Sequence, residues 1–200
     1  MSEPAFSDPA IALLEFDSIS AGIVAGDAMV KTSPIEAIYA GTIHPGKYLV
    51  LAGGDTASVE IALATGRDAG GGHVSDWVFL PDIHPDVMTA ITSGVDAASL
   101  TGEALGIVET TTVAAVIDAA DAGAKTADVE VSSLRLADGL GGKGYVLFSG
   151  VVAEVEAAVE AAVSRTEPRG TLVRSDVIAQ LHEEMADNLG AELRFLRRVG

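Results

Sequence analysis

The sequence predicts an α/β fold, an α+β sandwich built twice in tandem, in which helices pack on a small antiparallel or mixed sheet. The first observation is an internal repeat, because residues 14–32 recur in altered form at residues 108–126. Glu15 recurs as Glu109 and Thr32 as Thr126, and eight positions in this stretch are identical between the copies. A repeat of this length indicates two domains rather than a solenoid.

The second observation is that the repeat continues with a two-residue insertion. Lys47 then corresponds to Lys143, and Gly54 corresponds to Gly150. The insertion falls in a glycine-rich stretch, residues 138–144, which faces the shorter stretch 44–47 of the first copy. Loops tolerate insertions best, so both stretches are predicted to be loops.

The third observation is the order of apolar patterns within each copy. A strand is predicted at about 10–17, followed by a helix capped by Ser18 or Ser20, and Thr112 precedes the matching helix. Strands at 35–42 and 48–52 form a hairpin, matched by strands at 129–136 and 145–149. A second helix carries Val59 in one copy and Val155 in the other. A fourth strand follows at 77–80 and 171–174, with short helices after Pro85 and after Ser175.

These elements divide the chain into four parts. We expect a disordered tail at 1–9, a first domain at 10–98, a linker at 99–103 and a second domain at 104–200, and each domain is long enough to hold its own core. The first residues lack the basic segment and the apolar run of a secretory signal, so a cytoplasmic protein is expected.

Charge and composition narrow the partners. A net charge of −17 with only 12 Lys and Arg residues argues against nucleic acid, and Arg194, Arg197 and Arg198 are better explained as a solvated helix end. No uncharged run reaches the length of about 18 residues that a membrane span requires. A mean hydropathy of +0.37 with 4% aromatic residues means abundant small apolar side chains, which predict subunit interfaces.

The sequence predicts no enzyme, no metal site and no cofactor. Absence of cysteine excludes disulfides, thiolate-held iron–sulfur clusters and cysteine-bound zinc. Residues 139–144 are superficially similar to a phosphate-binding loop, but Gly144 and a strand stand where Ser or Thr and a helix are needed. The four histidines, 44, 73, 84 and 182, show no metal-ligand spacing.

Several short motifs, each weak alone, occur in order in this chain. They are Leu-Gly-Ile-Val-Glu-Thr at 105–110, Asp-Ala-Met-Val-Lys at 27–31 with Asp-Ala-Gly-Ala-Lys at 121–125, the glycine loops, Gly54-Asp55 with Gly150-Val151, and Val-Phe-Leu-Pro-Asp-Ile-His at 78–84. With these motifs the chain resembles the bacterial microcompartment shell proteins of the tandem-domain, trimer-forming type.

The resemblance implies a wall tile. Three chains would supply six domains around a pseudo-sixfold axis, and the tile would assemble with hexameric and pentameric shell proteins around encapsulated enzymes. It implies a central pore for metabolites, lined by the tips of the two glycine loops. Glycine suits a crowded axis because it lacks a Cβ and permits positive φ. The predicted pore-lining residues are His44, Pro45, Gly46, Leu140, Gly141 and Gly142.

The resemblance also implies an assembly edge at Lys31, Lys125 and His84. An ordinary helix-surface pair with the aspartate four residues earlier remains the alternative for both lysines. Near Pro81 the chain departs from the family's Pro-Arg-Pro-His segment, and Arg174-Ser175-Asp176 in the second copy lacks its prolines and histidine. The unpermuted order of elements favours a single-layer trimer over stacked trimers.

A trimeric small-molecule sensor outside any shell is the alternative function. It would share the fold size and the glycine loops, but it would have no use for a matching lysine in both copies.

Overall fold

The computed structural model describes residues 8–93 and 103–189. Of the predicted tail, only Asp8 and Pro9 lie in these ranges, and of the predicted linker only Glu103 does. Most of the tail predicted to be disordered and most of the predicted linker therefore lie outside the described residues. The same holds for the helix end predicted at Arg194, Arg197 and Arg198.

The two copies contain the predicted elements in the predicted order. In the first copy these are β1 (Ala10–Phe16), α1 (Ile19–Thr32), β2 (Ala37–Ile43), β3 (Lys47–Gly54), α2 (Thr56–Gly70), β4 (Val74–Leu80) and α3 (Pro85–Ser93). In the second they are β5 (Ala104–Thr110), α4 (Val113–Thr126), β6 (Glu130–Leu136), β7 (Gly144–Gly150), α5 (Val152–Thr166), β8 (Leu172–Ile178) and α6 (Glu183–Leu189). A short 3₁₀ turn precedes β4 at Gly71–His73 and β8 at Glu167–Arg169.

Each copy has one four-stranded sheet, in the order β2-β3-β1-β4 and β6-β7-β5-β8. All neighbouring strands run antiparallel, so the sheets are antiparallel rather than mixed. The α+β sandwich class is confirmed. Ser18 caps α1 and Thr112 caps α4, each accepting a hydrogen bond of 3.3 Å from the backbone N–H three residues later.

The core has two parts that differ in reach. One lies within the first domain, where Leu14, Phe16 and Val50 of the sheet pack on the inner faces of α1 and α2. The other spans both domains, because Ile11 and Val78 on the opposite face of the first sheet belong to the same apolar cluster as α4. The two domains are therefore joined by shared buried apolar surface.

The last strand of each copy is longer than predicted. β4 begins at Val74 and β8 continues to Ile178, so the short helix predicted directly after Ser175 begins only at Glu183. Alternation of polar and apolar residues is the usual sign of a strand. Adjacent polar residues in the missed parts of these strands break that alternation, so the sequence did not show how far the strands extend.

The register of these strands also corrects the comparison of the two copies. Leu80 pairs with Ile11 and Ile178 pairs with Leu105, so Ile178 is the counterpart of Leu80. The segment after Leu80 therefore corresponds to residues 179–182, and the second copy does have a matching histidine, His182. The comparison with Arg174-Ser175-Asp176 was wrong because these residues lie inside β8, which runs on to Ile178. The turn before β8 is also two residues longer than the turn before β4.

Candidate assembly interfaces and pore loops

The contact between the two domains is the best-defined interface of the chain. Helix α4 of the second domain is covered by β4 and α3 of the first, and Ile117 is fully buried. Its counterpart on α1, Ile23, is 53% exposed. Ile19, Val24 and Val30 on α1 are exposed as well. Equivalent helix faces therefore differ in burial only because one of them is covered within the chain.

Glu15 is the central polar residue of this contact. Its side chain is fully buried, and Oε2 accepts a 2.9 Å hydrogen bond from the backbone N–H of Val113, the first residue of α4. Oε1 accepts from Lys47 Nζ. A carboxylate is favoured at a helix N-terminus, where backbone N–H groups lack partners. Glu109, its counterpart, is one-third exposed and binds Lys143 at 2.6 Å.

A cluster of two arginines and two aspartates borders the same contact. Arg169 donates from Nη1 to Asp118 Oδ2 at 3.1 Å and from Nη2 to Asp76. Arg165 Nε donates to Asp118 Oδ1 at 3.0 Å, and Thr112 Oγ1 donates to the second oxygen of Asp76. Because Asp118 and Asp76 lie in different domains, Arg169 links the domains through charge-assisted hydrogen bonds.

Two of the predicted edge residues meet at the rim of the contact. Asp121 accepts the His84 backbone N–H at 2.8 Å through Oδ1 and binds Lys125 Nζ at 2.7 Å through Oδ2. Lys125 also donates to the carbonyl of Asp82. The structure therefore brings Lys125 and His84 together. Lys31 lies elsewhere on the first domain, where it binds Asp27 at 2.6 Å on an exposed helix face.

His84 and His182 have the same local role. His84 Nδ1 accepts the backbone N–H of Asp86 at 3.3 Å, and His182 Nδ1 accepts that of Glu184 at 3.3 Å. Each ring thus satisfies a free donor in the first turn of the following helix, α3 or α6. This shared role agrees with the strand register, in which His182 is the counterpart of His84.

The two predicted pore loops touch each other. A Cβ placed on Gly142 would stand 3.2 Å from Pro45 Cδ and 3.5 Å from the His44 carbonyl oxygen. Gly46, Gly141 and Gly142 have positive φ, and the His44–Pro45 peptide bond is cis. His44, Pro45, Gly46 and Gly141 are exposed. Each loop ends at a lysine that binds a glutamate of the central strand, Lys47 to Glu15 and Lys143 to Glu109.

Within residues 8–93 and 103–189, no group of three or more His, Asp or Glu side chains is arranged to hold a metal ion. No helix in these ranges is long and apolar enough to cross a membrane.

Sequence reasoning missed Glu15 and the arginine–aspartate cluster. The signals for the cluster were present as differences between the copies. Asp118 stands where the first copy has Val24, and Arg169 lies in the turn that is two residues longer.

The duplicated sheet-and-helix domain, the covered and uncovered helix faces and the paired glycine loops define a class of protein. The model of the BMC domain matches residues 10–83 and again 104–181, so the chain belongs to the BMC-domain family of microcompartment shell proteins. It is 42% identical over 176 residues to the bacterial microcompartment shell protein PduT of Citrobacter freundii, covering 88% of this chain and 95% of that protein.

Two further comparisons agree with this family. A crystal structure of a microcompartment protein from Desulfitobacterium hafniense is similar with a TM-score of 0.76 and 40% identity, over 90% of this chain and 99% of that one. The major carboxysome shell protein CsoS1A of Halothiobacillus neapolitanus is 38% identical over 95 residues, 46% of this chain and 93% of that protein. The carboxysome protein CsoS1A thus matches a length close to that of one of the two copies.

Proposed function

We propose that this chain is a structural tile of a bacterial microcompartment shell, and that three copies close into a pseudohexameric ring with a central pore. The shell role follows from the family. The ring rests on one observation. The surface that covers α4, formed by β4 and α3, has a counterpart in β8 and α6, and α4 has a counterpart in α1. Both counterparts are uncovered within the described residues.

The exposed fractions of equivalent residues show which surfaces are uncovered. Val87 on α3 is fully buried against the second domain, whereas its counterpart on α6, Met185, is 51% exposed. Leu80 is buried and Ile178 is exposed. Among residues 8–93 and 103–189, the second domain therefore presents the covering surface, β8 and α6, with nothing beneath it. Within the same ranges, the first domain presents α1 without a cover.

The shape of the α1 surface suits such a cover. A shallow groove of about 220 Å³ runs beside α1 and is lined mainly by apolar side chains and glycine. Its lining includes Gly22, Ile23, Gly26, Val30, Ile38 and Tyr48. We place Met185 of the next copy in this groove, because unbranched methionine adapts well to irregular apolar gaps.

The rotation that carries the first domain onto the second would then also carry the second domain onto the first domain of the next copy. Such head-to-tail contacts form a closed ring when the rotation closes. If the step is one-sixth of a turn, as in the pseudohexamer that the family resemblance implies, three chains complete the circle. The touching loops at residues 44–46 and 140–142 would meet at the axis and line the pore.

Other shell proteins are the proposed neighbours of this tile. Lys31, Lys125 and His84 are the proposed contacts to hexameric and pentameric tiles, and the enzymes inside the shell are reached only indirectly. Catalysis, cofactor binding and nucleic-acid binding are not part of the proposed function.

The trimer is tested by the mass of the protein in solution. Light scattering after gel filtration should give a trimer for the wild type and smaller species for Met185→Asp and Ile23→Asp, because each variant buries an unpaired charge in the interface. Ile61→Asp is the control, since Ile61 is equally exposed but lies on α2. A wild-type monomer, or trimers in all three variants, would contradict the ring.

Electron microscopy tests the shell role itself. Sheets, tubes or closed shells formed with partner tiles support a wall component. Discrete trimers that never assemble further and that bind a metabolite tightly would favour the sensor instead.

A further inference from the structure

We infer that Arg174 of one copy forms an ion pair with Asp17 of the next copy, and that this pair reverses the charges of the contact within the chain. The inference rests on the proposed trimer. It concerns which charges meet between copies, which the family resemblance does not specify.

The contact within the chain supplies the template. Asp76 on β4 pairs with Glu15 in the sheet register and faces the N-terminus of α4. Its two oxygens accept hydrogen bonds from Thr112, the cap of α4, and from Arg169 in the turn before β8. Arg169 also holds Asp118, so one arginine of the second domain bridges two carboxylates across the interface.

The strand register places Arg174 at the position of Asp76. Arg174 pairs with Glu109 as Asp76 pairs with Glu15. In the ring, Arg174 therefore faces the N-terminus of α1 of the next copy, where Ser18 is the counterpart of Thr112. A positive side chain takes the place of a negative one.

The opposing surface differs in the complementary sense, because it lacks counterparts of both arginines and presents an aspartate. Arg165 has Ala69 as its counterpart, Asp118 has Val24, and the turn Gly71–His73 is too short to supply a second Arg169. Asp17 lies directly before Ser18 and is exposed. One of its oxygens, Oδ1, lies 2.8 Å from His73 Nδ1, and within the part of the chain that the structure describes Oδ2 is available for a further partner.

The surroundings of Arg174 in the single chain suit this role. It binds Asp176 of the same strand through two hydrogen bonds, of 2.6 and 2.8 Å, and its side chain is exposed. These hydrogen bonds, which Arg174 donates to the Asp176 carboxylate, raise the pKa of Arg174. With Asp17 added, Arg174 would bridge two carboxylates across the interface as Arg169 does, but with the arginine on the covering strand instead of the covered domain.

A charge swap tests the pair. In analytical ultracentrifugation at low salt, Arg174→Glu and Asp17→Arg should each raise the concentration of half-dissociation about tenfold, because like charges then meet. The double variant should return to within about threefold of the wild type. Combining Arg174→Glu with Glu60→Arg is the matched control, since Glu60 is exposed on α2, and it should give no recovery.

A cross-link gives a second measurement that does not depend on stability. The chain has no cysteine, so Asp17→Cys combined with Arg174→Cys introduces the only thiols. A short bis-maleimide should then join neighbouring copies into covalent trimers, and chains with one of the two cysteines should give dimers at most. Trimers that resist both single substitutions, or no advantage of the charge swap over the control, would overturn the pair while leaving the ring intact. A wild-type monomer would instead overturn the ring.

Discussion

Two equivalent glutamates show how surroundings decide the importance of one side chain. Glu15 is fully buried between Lys47 and the N-terminus of α4, whereas Glu109 is one-third exposed. Glu15→Ala should lower the free energy of unfolding by about 3 kcal/mol, because it leaves a lysine and a backbone N–H without their partner. Glu109→Ala should lower it by less than about 1 kcal/mol in the dissociated chain. Urea titration at low protein concentration measures both, and equal losses would contradict the assignment.

Gly123 lies inside helix α4, where the packing leaves no room for a side chain. A Cβ on Gly123 of α4 would lie 2.4 Å from Phe148 Cζ and 3.1 Å from the carbonyl oxygen of Ala158. Gly123→Ala should therefore lower the free energy of unfolding by about 1–3 kcal/mol, since the buried ring and α5 must move. Gly41→Ala is the control, because nothing lies within 4 Å of its added Cβ. Thermal unfolding should show a clear loss for Gly123→Ala only.

The sequence could predict single residues when the signal was local. The aspartate–lysine pairs and the helix cap at Thr112 follow from spacing alone, and the structure has both. It could not predict that Glu15 reaches Val113, because these residues lie in different copies of the repeat and meet only after the domains pack. The roles of the pore and edge residues stay predictions, since they depend on further copies of the chain.

At the scale of one element, α2 and α5 differ in their caps. Asp55 accepts the Ser58 backbone N–H at 3.0 Å, whereas Val151 stands at the equivalent position without a side-chain cap. Both residues have the same extended backbone, with φ and ψ of −66° and 151° against −74° and 150°. Val151→Asp should therefore stabilise the chain by about 1 kcal/mol at neutral pH.

The pH dependence of this gain checks its cause. Hydrogen bonds from Ser58 lower the pKa of Asp55 below its usual 3.8. A carboxylate whose pKa is lower in the folded state adds stability above its unfolded pKa, and that stability is lost as the pH falls through the folded pKa. The advantage of Val151→Asp should thus fade below about pH 4. Val151→Asn, a cap without charge, should keep its advantage there.

The order of the elements was predictable because each helix and hairpin carries its own apolar period and its own turn residues. The last strands were not predicted in full. The missed part of β4 contains Asp76 and the missed part of β8 contains Asp176, and these polar residues interrupt the apolar pattern. Asp76 also serves a contact beyond its own sheet. The predicted end of the last strand at 174, four residues early, together with the turn that is two residues longer, misplaced the comparison of the copies, and strand pairing corrects it.

The abundance of small apolar residues in the chain predicts subunit interfaces. Part of this apolar surface is buried within the chain on α4, and part remains exposed on α1 and α6. The repeat in the sequence thus corresponds to two equivalent surfaces, one closed within the chain and the other proposed to be closed by a second copy.

Lys31 and Lys125 have the same proposed role at the edge of the tile but different contacts within the chain. Lys31→Asp should abolish growth of sheets while the trimer keeps its mass, because Lys31 binds only the exposed Asp27 in its own chain among the described residues. Lys125→Asp should abolish sheets too, and it should also lower the stability of the chain, since Lys125 holds Asp121 and the Asp82 carbonyl across the domain contact. Negative-stain microscopy measures sheets, and light scattering measures the trimer. Arg67→Asp makes the same change of charge at an exposed residue that contacts the Trp77 ring, and it should leave the sheets unchanged. Normal sheets from both lysine variants would remove these lysines from the edge.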